Sequence, residues 1–143
     1  MRSPPRRVNW KLILQLSLFG LAMGIATVFV IPSSVEPWLW LVVLGISAYF
    51  IATRSSRRYF VHGLLVGMAN SVWVTASHIL LFDSYVAHHP SYAAMMTTTP
   101  APGSPRMVMA LIGPVIGVLS GLALGVLAVV AGKLVRRRAA PGH

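Results

Sequence analysis

The chain contains no cysteine and only two acidic residues, Glu36 and Asp83, among 143. Without cysteine there is no disulfide, no thiolate metal site and no thiol nucleophile, and redox compartment leaves no mark. Charged residues of both signs make up 10% of the chain, where a soluble domain carries about a quarter. A charge at mid-bilayer costs several kcal/mol, so long stretches that must live in lipid do without one. No Ser-His-Asp set, paired carboxylates or phosphate-binding loop can be assembled, so neither an enzyme nor a bound cofactor is expected.

Apolar and basic residues are abundant. Hydrophobic residues reach 56%, and twelve Lys and Arg give a formal charge of +10. Arg2, Arg6, Arg7 and Lys11 precede the first apolar run; Arg54, Arg57 and Arg58 separate the second from the third. Lys133, Arg136, Arg137 and Arg138 close the fourth, and Arg106 alone lies in the other set of connections. Short loops rich in Lys and Arg stay cytoplasmic, so the pattern predicts four spans with both termini inside. The basic clusters abut apolar runs, which fits topology and contact with anionic lipid headgroups rather than nucleic acid. The N-terminal stretch imitates a signal peptide, but its apolar part is too long and no small-residue cleavage site precedes Pro32.

The predicted fold is all-α: a polytopic membrane four-helix bundle forming one integral membrane domain over residues 1–143. Its spans are expected at about 10–31, 37–53, 59–82 and 107–135. Pro32 ends the first, Pro37 suits the first turn of the second, and Ser33 or Ser34 is available as its cap. The short connection predicts that spans one and two are antiparallel neighbours. Trp38 and Trp40 belong at the outer interface. The loop over residues 83–106 carries Pro90, Pro100, Pro102 and Pro105, three consecutive threonines and a Gly-Ser pair. Regular helix throughout it is excluded. Span four exceeds the bilayer's need, so tilt, protrusion or a kink at Gly113-Pro114 is expected.

Three constellations bear on function. Gly113, Gly117, Gly121 and Gly125 recur every four residues on one face of span four, a glycine-zipper pattern. Shorter versions are Gly20 with Gly24 and Gly63 with Gly67. Such faces let another backbone approach closely. They serve either packing within the chain or self-association. On span three Gly67, Ser71, Thr75 and His78 share a face, with Asn70 beside it. Polar groups in hydrocarbon need partners, so this stripe either ties helices together or lines a small polar path. His62 reads as an interfacial residue. Finally His78, Asp83, His88 and His89 crowd the outer end of span three, followed by Met95, Met96, Met107 and Met109. Imidazole, carboxylate and thioether suit copper-like metals. No recognised metal spacing is present, however, and Pro90 holds His89 extended, so no metal site is assigned. A loop folding over the bundle with Tyr85 and Tyr92 in the interface is the preferred reading.

The stretch Tyr59-Phe60-Val61-His62-Gly63 and the loop from His88-His89-Pro90 to Met95-Met96, set within four spans, resemble a family of uncharacterised bacterial membrane proteins, known only as a domain of unknown function. The resemblance covers about Trp10 to Val135 and implies a multi-pass protein of the bacterial inner (plasma) membrane, with no catalytic residues to carry over. The sequence therefore points to a structural or accessory membrane bundle, in contact with lipids and with a membrane-protein partner or a second copy of itself. The alternative is a small homo-oligomeric channel or transporter lined by the polar face of span three. Periplasmic His/Met copper handling is the remote third reading.

Overall fold

The structure, a computed structural model, describes residues 7–55, 57–98 and 104–139. Arg2 and Arg6 of the first basic cluster, and Thr99, Pro100, Pro102 and Gly103 of the outer loop, lie outside the described residues. Those described form helices only: α1 (Trp10–Phe29), α2 (Glu36–Arg54), α3 (Tyr59–Leu80), α4 (Phe82–His88), α5 (Pro90–Thr98) and α6 (Pro105–Ala139). Four of these, α1, α2, α3 and α6, are long and apolar enough to cross a membrane. They alternate in direction, so the start of α1 and the end of α6 lie at the end of the bundle that carries Arg54, Arg57 and Arg58.

Asn9 starts α1, its Oδ1 accepting from the Leu12 N–H at 3.1 Å. Pro37 falls in the first turn of α2, where its missing donor is harmless. Neither Ser33 nor Ser34 caps that helix; Val35 occupies the cap position with no side-chain hydrogen bond. The reason is local, because the backbone N–H groups of Val35 and Glu36 already bond to the Pro32 carbonyl in a tight turn. The outer loop breaks into two short helices instead of extended chain. His89, with φ −127° and ψ 72°, separates them outside the helical region that a following proline disfavours, and Pro90 then begins α5. Pro114 sits inside α6, and the helix runs on through it for 35 residues. At about 1.5 Å per residue that exceeds the roughly 30 Å hydrocarbon layer by several turns.

The helices are not arranged in chain order. Packing is most extensive between α3 and α6, then between α3 and α1, and then between α2 and α6; α1 and α2 meet only slightly. The expectation that the first two spans are neighbours is therefore corrected. A short turn limits how far apart two helix ends lie, but it does not oblige the helices to pack along their lengths. What decides the partners is where small residues allow backbones to close.

That closeness is visible residue by residue. A Cβ on Gly63 would lie 2.6 Å from the Gly125 Cα, and one on Gly67 would run into the Cα of Gly121. On the other side of α3, a Cβ on Gly20 would lie 2.5 Å from the Asn70 Cα, and one on Gly24 would meet the Ser77 hydroxyl at 2.9 Å. At the Arg54 end all four long helices close over a dry core of Leu12, Ile13, Leu16, Ala48, Ile51, Val66, Leu124 and Ala128. The remaining helix faces are apolar and exposed, including Leu14, Leu18, Leu41, Val72, Leu111, Leu119 and Val126. A helix that is apolar all round suits burial in lipid on the side away from its neighbours.

Candidate functional site

At the other end of the bundle the helices do not close. A cavity of about 350 Å³ lies between α2, α3 and α6, and α4 and α5 roof it. Helix α2 contributes Glu36, Trp40 and Leu44; α6 contributes Met109, Ile112, Gly113, Ile116 and Ser120. From α3 come Gly67, Asn70, Ser71, Val74, Thr75 and His78, so all four residues of the polar stripe line one space. Tyr85 of α4 and Tyr92 of α5 complete it, as the reading of a folded-over loop anticipates. The cavity is not sealed from the side. Ile112 and Ile116 line it and yet remain 49% and 56% exposed. Trp40 faces this space, and its indole N–H donates to Glu36 Oε1 at 3.3 Å; Trp38 stays on the outer surface at 69% exposure.

Much of the polar stripe is engaged within the chain. The Gly20 N–H donates to Asn70 Oδ1 at 3.0 Å, joining α1 to α3. The Ser71 hydroxyl donates to the Gly113 carbonyl at 2.5 Å, joining α3 to α6. His78 Nε2 and the Thr27 hydroxyl lie 2.8 Å apart, again linking α3 to α1. A polar side chain in a low-dielectric interior needs such a partner, and here the partners come from neighbouring helices.

His78 also begins a stack of rings. Its imidazole lies on Tyr85 at 4.2 Å, and Tyr85 lies on His89 at 4.2 Å, with Tyr92 edge-on to Tyr85 at 5.4 Å. This stack fastens the roof helices to α3. His89 is buried, its Nδ1 is directed to the Tyr85 carbonyl at 2.9 Å, and its Nε2 has no hydrogen-bond partner among the described residues. Burial first, then the Glu36 carboxylate and then Tyr92, push the Tyr85 phenol up to about 12. Burial likewise raises Tyr92. Both rings thus present neutral hydroxyls to the cavity across the physiological range.

The sequence's metal candidates do not converge. His78 and His89 lie on opposite faces of Tyr85. His88 turns its Nδ1 to the Ser84 carbonyl at 2.8 Å and sets its ring against Phe29. Asp83 forms an exposed pair with Arg106 at 3.6 Å. Among the described residues, no three His, Asp or Glu side chains gather as a metal would require.

The span-four glycines sit on α3. Gly113 faces Thr75, Gly117 faces Ser71, Gly121 faces Leu64 and Gly125 faces Phe60. All four are buried in this one interface. On the far side of α3 and α6 an open groove of about 470 Å³ runs past Met68, Val72, Ile79, Pro114 and Val118.

Two features escaped the sequence. His62 is buried, not interfacial: its Nε2 accepts the Asn9 N–H at 3.0 Å, and its Nδ1 is 2.9 Å from the Arg58 carbonyl. The Asn9 N–H can only donate, so Nε2 is the acceptor and the proton sits on Nδ1, directed at the Arg58 carbonyl. The imidazole thereby binds the start of α1 to the turn before α3, where Arg58 holds a left-handed φ of 60°. Glu36 is the second. It lies in the first turn of α2, and only the placement of α2 beside α6 sets it at the cavity's mouth. Searches against protein-family models, curated proteins and solved structures return no match to this chain.

Proposed function

We propose that the protein is a four-span protein of the bacterial inner membrane, with both termini cytoplasmic, whose working part is the cavity beneath α4 and α5. On this reading the cavity receives a small molecule from the outer half of the bilayer or the space above it. The observation that carries it is the contrast within one bundle: four helices meet in a dry core at the Arg54 end, yet leave about 350 Å³ lined by the polar stripe at the other. Cavities of roughly 300–1,000 Å³ with a few placed polar groups are the usual form of a small-molecule site. The dry core opposes a water-filled path through a single copy, so binding or carriage fits better than conduction. Self-association through the span-four glycines would have to pull α6 off α3, so an assembly would use another face.

The native chain has no cysteine, so any single substitution supplies the sole thiol. Ser120→Cys, in the cavity, should react with N-ethylmaleimide in membranes, and Ala128→Cys, in the dry core, should not. Ser34→Cys and Ser91→Cys should label with an impermeant maleimide on intact cells, whereas Ala139→Cys should label only after the membrane is opened. Labelling of Ala128→Cys would indicate a continuous path, and an unreactive Ser120→Cys would remove the cavity.

A further inference from the structure

We propose that the ligand of this cavity is a cationic amphiphile, its apolar body in the space that α2, α3 and α6 enclose and its positive group at the mouth beside Glu36. This rests on the reading of the cavity as a small-molecule site. The argument comes from which lining groups remain available. Ser71 and Ser120 donate to the carbonyls of Gly113 and Gly117, and Asn70 uses its oxygen on Gly20. His78 Nε2 is committed to Thr27. Apart from the Thr75 hydroxyl and the Asn70 amide nitrogen, the deep part offers carbon to a guest, from Leu44, Val74, Met109, Ile112 and Ile116.

The mouth is different. Among the described residues, Glu36 is the only charged side chain lining the cavity, with no Lys or Arg beside it. It is one of two carboxylates in a chain of formal charge +10. The other, Asp83, faces Arg106, while Glu36 has the Trp40 indole on one oxygen. Tyr85 has both faces covered by His78 and His89, which leaves Trp40 and Tyr92 to offer ring faces beside Glu36. Such faces attract cations, and a desolvated ammonium gains more from them than a hydrated one does. An anionic headgroup would meet a carboxylate and find no cation to pair with. A neutral guest would leave the one charge unused. Charge and ring complementarity select the same class.

The test uses Ser120→Cys protein in nanodiscs of phosphatidylcholine, with dodecyltrimethylammonium as probe and dodecanol and dodecanoate as its neutral and anionic counterparts. Dodecyltrimethylammonium should slow maleimide labelling saturably, by about tenfold at full occupancy, and the counterparts should leave the rate unchanged. Adding Glu36→Gln should raise the concentration of cation needed for half-protection by about tenfold, the effect of losing one charge-assisted contact at a partly wet site. Glu36→Asp should retain most of the protection. If Glu36→Gln proves poorly folded, judged by elution and melting, Tyr92→Leu tests the same mouth by removing a ring.

Equal protection by all three probes, or protection indifferent to Glu36 and Tyr92, would overturn the cationic class while leaving the cavity intact. An unlabelled Ser120→Cys would remove the site itself.

Discussion

The two ends of this bundle are built from the same four helices and differ in one respect: how α2 sits against α3 and α6. At the Arg54 end Ala48 and Ile51 of α2 pack with Leu124 and Ala128 of α6 and Val66 of α3, all nearly inaccessible. At the α4–α5 end, Glu36 and Trp40 of α2 stand off from Met109 and Ile112 of α6, and a cavity fills the difference. The α3–α6 pair stays close at both ends, from Gly125 against Phe60 to Gly113 against Thr75. The glycine seam is thus the constant part of the structure, and the side of α2 is the variable part. In lipid no hydrophobic force drives helices together, so contact persists where packing is good and lapses where it is not.

The largest expected effect bears on the seam. Gly67→Ala would set a methyl against the Gly121 backbone, which has no flexible side chain to move aside. Overpacking of this kind costs about 3 kcal/mol, the upper end of its usual range. Gly45→Ala is the matched control, since nothing lies within 4 Å of its Cβ position; removing an exposed helical glycine should leave stability unchanged or raise it by up to about 1 kcal/mol. Melting and yield in mild detergent separate the two. Equal tolerance would show that the seam is looser than its geometry.

A direct comparison of the ends gives a smaller effect. Leu124→Ala empties a fully buried position in the dry core and should cost about 2 kcal/mol through lost contacts. Met109→Ala enlarges a space that is already open and should cost under about 1 kcal/mol. If detergent melting falls as far for Met109→Ala as for Leu124→Ala, the α4–α5 end is as tightly packed as the other and the contrast fails.

The parts of this architecture legible in the sequence are those set by a repeating offset. Residues four apart share a helix face, so the seam glycines and the stripe Gly67, Ser71, Thr75 and His78 could be grouped before any helix was placed. The span positions follow from apolar length and basic flanks; the helix ends differ from them by at most four residues, most at Ala139, where α6 continues through its basic cluster. Helix pairing was not legible. Spans apolar on every side display no stripe that singles out a partner, and the turn at Pro32 points to an α1–α2 pairing that packing makes only slightly. The role of His62 is not legible because Asn9 precedes α1 while Ser55 and Arg58 lie in the turn before α3, and only the fold brings them to one ring. The same is true of the stack through Tyr85. Its rings come from α3, from α4 and from the junction before Pro90, and no fixed spacing encodes it.

The last and smallest test asks whether the roof over the open end is as closed as its ring stack implies. Tyr85 is raised by burial, by Glu36 and by Tyr92, to about 12 from an ordinary value of 10. In the unfolded chain its phenol would ionise at the ordinary value, so folding excludes a charge that the unfolded state accepts. Its contribution to stability is whole below pH 10 and is lost as pH rises through about 12. The chain has four tyrosines, and the tyrosinate absorbance of the parent minus that of Tyr85→Phe isolates this one. The difference should titrate near 12, above the ordinary value of 10. A midpoint at the ordinary value would mean that water reaches the Tyr85 hydroxyl freely. The α4–α5 helices would then be a loose cover, and the mouth beside Glu36 would lose the dryness that makes its rings attractive to a cation.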